Sequence, residues 1–456
     1  MHYSIRYIRY LPAILIVTML ATYPLAEIFS VYLLEKTRGI QDAQIMVETI
    51  AIITLIVFFI TQPHYRFINK SQWLFILLIT ITPLIYLIPL PTALWELIPG
   101  REPYIQIAHW LTNGSLDDIN KRLSVIPYET EHAFFALFPP LAIFLVVVSS
   151  SEKTIKLILS AALLIAIGEA MLAIIQYGKE DDYFYFGIPR LRENTSHGTY
   201  PNPDHLSTLM FVILPFSIAL FIYNLRAMKH TDDEKKKSKK ILLIICYSFA
   251  SIFLFAASLS TSSRAGIALT FLALALTYST FTRYTHTKTK LIIISTASIF
   301  AIVILLLTGT SSLISRFIAE NPFIDGRWQI FSNTYTGISA FFPFGSGPGT
   351  FPDVYRLFQP MEQRGFINHT HNDYLELIFD TGLLGIAIIT SFFFLFIKQW
   401  QKIPPARRRS FRYIQTASRI SLVLFLLHAI VEFNLHDVMN VLFLGLLIGI
   451  VFHKPV

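Results

Sequence analysis

The sequence predicts an all-α polytopic membrane protein with about twelve transmembrane helices. Hydrophobic residues make up 54% of the 456 residues and charged residues only 14%, whereas soluble proteins usually carry about 25% charge. The apolar residues also fall into blocks of about 17–25, the length with which a helix crosses the hydrocarbon core. Helices satisfy their own backbone hydrogen bonds, so lipid tolerates them.

Twelve apolar stretches meet this length criterion. The first follows Arg6 and Arg9, and we expect a retained span because no clear small-residue cleavage site follows it. We expect a single integral membrane domain over residues 1–456, interrupted by one large loop at 311–372 that carries short helices. The stretches are 11–33, 44–61, 72–91, 131–149, 154–176, 204–225, 241–260, 265–281, 291–310, 373–397, 414–433 and 438–453.

Charge sets the predicted orientation. When the spans are threaded alternately, short basic loops such as RAMKHTDDEKKKSKK (226–240) and QKIPPARRRSFR (401–412) fall on one side. Such loops face the cytoplasm, which places both termini there and the longer loops at 92–130, 177–203 and 311–372 outside. The net charge of +8 is explained by topology, so no nucleic-acid partner is expected.

Most ionisable residues in or beside the spans are predicted to lie toward the outer half of the membrane. A charge at membrane depth costs about 2.5–3.5 kcal/mol on insertion scales, so several in one leaflet suggest a shared wet cavity that opens outward. Snorkelling and pairwise neutralisation are the alternative. The residues are Glu27, Glu48, Glu169, Arg264, Asp380, His428 and Glu432, with Arg419 as the exception near the inner edge.

The segment HTHNDYLELIFDTGLLG (369–385) gathers titratable groups directly before an apolar stretch. Asp373 and Glu376 have the spacing of a capping box, which predicts a helix start. His371 is not needed for that cap, and the positive end of a helix dipole favours a neutral imidazole that can act as a general base. A metal site that uses His369 with His371 would need a third ligand from elsewhere, and no metal is expected.

Arginines on the predicted outer side suit a phosphate or pyrophosphate ligand, because the planar guanidinium matches phosphate oxygens bidentately. We expect Arg356 and Arg364 to lie at the surface instead. The glycine-rich GSGPG (345–349) lacks the lysine of a nucleotide P-loop and is expected to be a turn. The candidate pyrophosphate-binding residues are Arg264, Arg327, Arg190 and Arg192.

These motifs resemble a known family. His371-Asn372 followed by Gly382-x-x-Gly385 is similar to the signature of the O-antigen ligase and polymerase superfamily. Further similar blocks are LSVIPYETEHAF (123–134), PNPDHLSTLM (201–210), SSRAG (262–266), GRWQIF (326–331), PFGSGPGTF (343–351) and EFNLHDVMN (432–440).

The resemblance implies a twelve-span, GT-C-like glycosyltransferase of the bacterial inner membrane with a periplasmic active site. The implied donor is a glycan on undecaprenyl pyrophosphate, and membrane lipid is a further implied partner. The acceptor would be lipid A-core for a ligase, a second lipid-linked glycan for a polymerase, or a protein. The implied reaction inverts the anomeric centre and uses neither cofactor nor metal.

The resemblance also implies roles for individual residues. His371 would be the catalytic base, supported by Asn372, Asp373 and His369. Arg264 and Arg327 would bind the pyrophosphate. Glu432 stands where the family more usually has Asp.

Two other functions compete with a ligase. A polymerase of the same superfamily would share the site, and neighbouring spans carry no acceptor code that separates the two. A flippase for lipid-linked glycans would share the ligand, but it would want a cavity that reaches both leaflets and often two related halves. Here the candidate groups gather on one side, which favours transfer over transport.

Overall fold

The computed structural model describes residues 10–33, 39–61, 68–111, 121–177, 195–282, 326–402 and 410–454. Within these ranges every regular element is helical. Two single-turn 3₁₀ helices occupy Tyr355–Leu357 and Asn434–His436. The α-helices are α1 Leu11–Leu33, α2 Gly39–Thr61, α3 Lys70–Tyr86, α4 Thr92–Trp95, α5 Glu102–Leu111, α6 Pro127–Phe135, α7 Phe138–Ser149, α8 Glu152–Tyr177, α9 Pro203–Met228, α10 Glu234–Ser260, α11 Arg264–Thr282, α12 Gly326–Phe341, α13 Phe351–Val354, α14 Asp373–Lys402, α15 Ser410–His428 and α16 Val438–Phe452.

Seven helical segments of the described chain are long and apolar enough to cross a membrane, by length and composition. This agrees with the predicted all-helical polytopic class, whereas the count of twelve stays a prediction. The predicted span 291–310 lies outside the described residues. The seven are Ala43–Thr61, Pro127–Ser149, Glu152–Tyr177, Pro203–Met228, Glu234–Ser260, Arg264–Thr282 and Asp373–Lys402, and shorter apolar helices are Leu11–Ala26, Lys70–Tyr86 and Val438–Phe452.

Helix α9 lies at the centre of the bundle. It packs against α10, α11 and α15, and its side chains are buried on all faces rather than along one stripe, as expected for a helix enclosed by others. Its start is fixed by Asn202, whose Oδ1 accepts the N–H of Asp204 at 2.9 Å, and by Pro203 in the first turn. This start carries Asp204 and His205 into the candidate site.

Helix α14 begins where the sequence predicted, but the predicted capping box is wrong. Asn372 is the cap, because its Oδ1 accepts the N–H groups of Tyr374 and Leu375, both at 3.0 Å. Asp373 already lies in the first turn of the helix, where its buried carboxylate accepts the N–H of Leu435. The carboxylate therefore ties the start of α14 to the turn before α16.

A kink at Gly382 interrupts α14. Its φ of +53° and ψ of −126° belong to a region open essentially to glycine. A Cβ there would lie 2.1 Å from the carbonyl oxygen of Pro343, and that same oxygen accepts the N–H of Leu383 at 2.9 Å. The absence of a side chain at Gly382 therefore allows the loop that follows α12 to dock on the kink.

The GSGPG segment is the turn that the sequence predicted. Its N–H groups donate to α14: Ser346 to Phe379 O at 3.2 Å, Gly347 to Asp380 O at 2.8 Å. Gly349 donates to the Asp380 carboxylate at 2.7 Å. These donors are engaged by protein atoms, so the turn positions the loop against the kink and does not cradle phosphate.

The two ends of the bundle differ in charge. The end that carries the basic loops is closed by contacts among α9, α11 and α15, where Arg226 donates to the Tyr413 hydroxyl at 2.6 Å and to Phe281 O. The starts of α9, α11 and α14 and the end of α15 lie at the other end, and this end carries the candidate site.

Candidate functional site

The turn between α15 and α16 carries Glu432, whose side chain is fully buried. His371 Nδ1 lies 3.0 Å from Glu432 Oε1, and Arg327 Nη2 donates to Glu432 Oε2 at 2.9 Å. One buried carboxylate therefore holds an imidazole and a guanidinium side by side. We call Glu432, His371 and Arg327, with Asp204 and His205, the Glu432 cluster.

The backbone of His371 is strained. Its φ is +55°, a left-handed conformation that non-glycine residues adopt at a cost of about 1–3 kcal/mol. The cap at Asn372 and the hydrogen bond from Asp373 N to Ala429 O at 2.9 Å impose this turn. In this conformation the imidazole lies within hydrogen-bond distance of Glu432.

Arg327 joins three segments of the chain. It lies in the first turn of α12, and its Nη2 also lies 3.3 Å from Asp204 Oδ2 at the start of α9. Its side chain is 28% exposed, and that of His371 is 25% exposed. The imidazole and the guanidinium thus reach the open face of the site above a carboxylate that solvent does not reach.

Burial alone would raise the pKa of Glu432. The hydrogen bond that His371 donates and the charge of Arg327, with the imidazole of His205 nearby, outweigh burial and hold the pKa of Glu432 below its usual range. The carboxylate is therefore ionised, and it accepts a hydrogen bond from the Nδ1–H of His371. In the neutral imidazole this tautomer leaves Nε2 with a lone pair.

His205 supports the cluster from below. Its Nε2 lies 3.9 Å from Glu432 Oε1, and its Nδ1 lies 3.3 Å from Asp437 Oδ2. The ring packs edge-on against Phe433, with 4.6 Å between centroids. A buried imidazole at the start of α9 therefore lies between two carboxylates of the turn that carries Glu432.

A second group lies on the other side of Phe433. His369 Nδ1 and His436 Nε2 lie 2.8 Å and 3.0 Å from the same oxygen, Glu376 Oε1. The other carboxylate oxygen accepts the N–H of Thr370 at 2.8 Å and its hydroxyl at 3.0 Å. We call His369, Glu376 and His436 the Glu376 cluster; it is the group in the described residues whose geometry could hold a metal ion.

A cavity of about 610 Å³ opens beside the Glu376 cluster. All three residues of the cluster line its polar end. Its walls are mostly apolar and follow α14 from Asp373 to Leu395, a distance of roughly 30 Å at the rise of a helix. The cavity therefore follows α14 over about the thickness of a hydrocarbon core, with the Glu376 cluster in its lining.

The structure brings several predicted residues together. His371 and Arg327 meet at Glu432, Asn372 caps α14 directly after His371, and Asp373 fixes the adjacent turn. His369 pairs with Glu376 and His371 pairs with Glu432. The two histidines therefore do not converge on one position, as the predicted metal alternative requires. The expected roles of these residues in chemistry stay predictions.

The arginines have different outcomes. Arg264 begins α11, and the close approach of that helix to α9 places it at the same end of the bundle. A Cβ on Gly266 would lie 2.1 Å from Ser207 Oγ, and Ser207 donates to Asp204 O at 2.7 Å. Arg190 and Arg192 lie outside the described residues.

Sequence reasoning missed most of the partners of these residues. Glu432 was noted among the ionisable residues of the outer half and as a departure from the family pattern, whereas His205, Asp204, His436 and Asp437 were not singled out. Their signal is the spacing of polar residues in PNPDHLSTLM and EFNLHDVMN, two blocks that place charged groups beside apolar spans.

Comparisons with known proteins address the family. A search of the curated proteins finds no match for the chain. Residues 249–390, which include Arg264, Arg327 and His371 but not Glu432, match the family model described as O-antigen ligase, and this match confirms the resemblance of the chain to the O-antigen ligase and polymerase superfamily.

Proposed function

We propose that the protein is an inverting glycosyltransferase that moves a glycan from undecaprenyl pyrophosphate to an acceptor hydroxyl, with His371 as general base. The observation that carries this proposal is the Glu432 carboxylate, which holds the His371 imidazole at 3.0 Å and the Arg327 guanidinium at 2.9 Å. A base and an anion-binding group thus lie side by side, each about a quarter exposed.

The proton path follows from the tautomer. Because Nδ1–H donates to ionised Glu432, Nε2 of His371 takes the proton of the acceptor hydroxyl. The acceptor oxygen then forms its bond to the anomeric carbon as the bond from that carbon to the pyrophosphate oxygen breaks. A single displacement of this kind inverts the configuration, and no metal takes part in it. Positioned general base catalysis contributes about 10²–10⁴-fold.

The leaving group takes the bonding electron pair and increases the charge on the pyrophosphate. Arg327, and Arg264 from the neighbouring helix start, stabilise that charge where it develops. The apolar cavity along α14 supports a lipid-linked substrate, since a free sugar nucleotide has no chain of comparable length to fill it. A lipid-linked donor also brings its own leaving group to a compartment without nucleotides.

The orientation belongs to the same proposal. The Glu432 cluster lies at the end of the bundle opposite the loop 226–240, the end of α14 and the start of α15, which supports a periplasmic site with both termini in the cytoplasm. The enzyme would then reside in the bacterial inner membrane, where lipid A-core is available as acceptor. We favour this O-antigen ligase activity, with a polymerase as the alternative outcome.

The test is a gel of lipopolysaccharide and lipid-linked glycans from a strain that lacks the gene. Bare core with long lipid-linked chains indicates a ligase, and core that bears one repeat indicates a polymerase. An unchanged profile would contradict both activities on lipopolysaccharide.

Complementation tests the base in the same strain. His371→Ala should form about 10²–10⁴-fold less product than the wild type at equal expression. His230→Ala, which changes an imidazole in the basic loop between α9 and α10, should restore the wild-type profile. Near-wild-type product from His371→Ala would remove the role assigned to His371.

A further inference from the structure

We propose that the Glu376 cluster binds one divalent transition-metal ion, with zinc as the best match, and that the ion fastens the start of α14 to the turn before α16. The inference does not depend on the proposed glycosyltransferase reaction. It rests on the donor atoms, the groups that orient them and the cavity that they face.

The donor set is two imidazoles and one carboxylate. His369 Nδ1, Glu376 Oε1 and His436 Nε2 all lie within 4.8 Å of one another. Two histidines with one glutamate form one of the three-ligand sets that bind zinc tetrahedrally, at about 2.0–2.2 Å per ligand. Tetrahedral ligands at that length are about 3.4 Å apart, so shifts of a few tenths of an ångström in both rings would accommodate the ion.

The surroundings fix the ligands in position. Thr370 donates its N–H and its hydroxyl to Glu376 Oε2, which turns Oε1 toward both imidazoles. The ring of His369 stacks on Phe433, with 4.5 Å between centroids and 28° between planes. Partners that orient metal ligands in this way typically change metal affinity 10–100-fold when they are removed.

The fourth coordination position would face the cavity. All three residues line its polar end, so a water molecule or an oxygen atom of a bound lipid head group could complete a tetrahedron. The ion would also connect two segments that carry the Glu432 cluster. His369 lies two residues before His371, and His436 lies four residues after Glu432, so the proposed role is structural.

The test uses the full-length protein in detergent, incubated with zinc and passed over a chelating resin before metal analysis. Wild-type protein should retain stoichiometric zinc. Glu376→Gln and His436→Ala should each retain at least about tenfold less. His132→Ala removes an imidazole that lines the same cavity outside the cluster, and it should retain as much zinc as the wild type.

Cobalt gives a second measurement that needs no variant. Wild-type protein loaded with Co²⁺ should show visible absorption bands of a tetrahedral site, and zinc should abolish them. If the wild type shows no bands and retains no more zinc than His436→Ala, the cluster is a hydrogen-bonded network and the proposal fails.

One variant separates this inference from the proposed function. His371→Ala should keep the zinc and the cobalt spectrum, because His371 contacts Glu432 rather than Glu376. Loss of product with retained metal supports both proposals. Unchanged product with retained metal removes the base and leaves the metal site standing.

Discussion

At the scale of single residues, Glu432 determines what His371 can do. An imidazole has two nitrogen atoms, and the group that accepts a hydrogen bond from one of them decides whether the other can take a proton. Ionised Glu432 accepts a hydrogen bond from Nδ1 at 3.0 Å, and this tautomer leaves the lone pair on Nε2 free to take a proton. The side chain at position 432 therefore sets the tautomer of the proposed base.

Glu432→Gln should reverse that tautomer. The amide can present an N–H to Nδ1, which then accepts, and Nε2 carries the proton instead. We expect the rate of glycan transfer by purified protein to fall by about 10²–10⁴-fold, the range of general base catalysis, with the fold retained. Glu131→Gln, which changes an exposed partner of Arg122, should leave the rate unchanged. A Glu432→Gln rate near that of the wild type would contradict the tautomer argument.

Arg264→Lys tests whether the second arginine binds the leaving group. A lysine keeps the charge but loses the fork that grips two oxygens. Hydrogen bonds to charged groups contribute about 1.5–3 kcal/mol each, so we expect transfer to slow by about tenfold or more. Arg356→Lys is the matched control, since Arg356 is exposed and pairs only weakly with Asp353 at 4.0 Å. Equal rates for the two variants would place Arg264 outside the reaction.

The residue scale also shows where sequence reasoning stops. His371 was found because its motif is local and because the cap beside it does not need an imidazole. Glu432 lies 61 residues further along the chain, and its contact depends on how the turn after α15 folds back. The spacing of Asp373 and Glu376 matched a capping box. In the structure, however, the Asp373 carboxylate pairs with Leu435 N and the Glu376 carboxylate with His436, both in the turn before α16.

At the scale of elements, the kink in α14 connects the loop after α12 to the site. The kink occurs at Gly382, nine residues after the helix begins, where the GSGPG turn docks on Phe379 and Asp380. The sequence indicated the GSGPG turn and the helix that begins near Asp373 separately. It could not reveal that they contact each other, because that contact depends on tertiary packing.

Gly382→Ala should destabilise the protein. The positive φ costs an alanine about 1–3 kcal/mol, and its Cβ would overlap Pro343 O at 2.1 Å. We expect a lower Tm in detergent and reduced transfer, since the displaced turn belongs to the loop beside the site. Gly168→Ala is the control: a Cβ at Gly168 meets nothing within 4 Å, so its Tm should not fall. A Gly382→Ala protein as stable as the control would refute the docking role.

At the scale of the whole molecule, the basic loop 226–240 and the Glu432 cluster lie at opposite ends of the bundle. Composition and the length of the apolar blocks predicted the helical class. Loop charge predicted that the short basic loops share one side of the membrane. Neither property can reveal how helices group around α9, because the faces that contact lipid and the faces that contact other helices are both apolar. The central position of α9 follows from packing, and it brings Asp204 and His205 beneath Glu432.

Cysteine labelling tests the orientation. In a Cys246→Ser background, which removes the only natural cysteine, Met361→Cys should react with a membrane-impermeant thiol reagent added from the periplasm. Met361 is 98% exposed and lies in the loop that leads to His371. Lys236→Cys, in the basic first turns of α10, should react only after the inner membrane is permeabilised. The reverse pattern would place the Glu432 cluster in the cytoplasm and end the proposed reaction.

The Glu432 cluster draws its members from four distant parts of the chain, at Asp204, Arg327, His371 and Glu432. A ribosome-bound chain that has inserted everything up to α14 still lacks the carboxylate that orients the imidazole. If the proposed reaction holds, such an intermediate lacks the group that orients the base, so we expect no glycan transfer before α15 and the turn that carries Glu432 are in place.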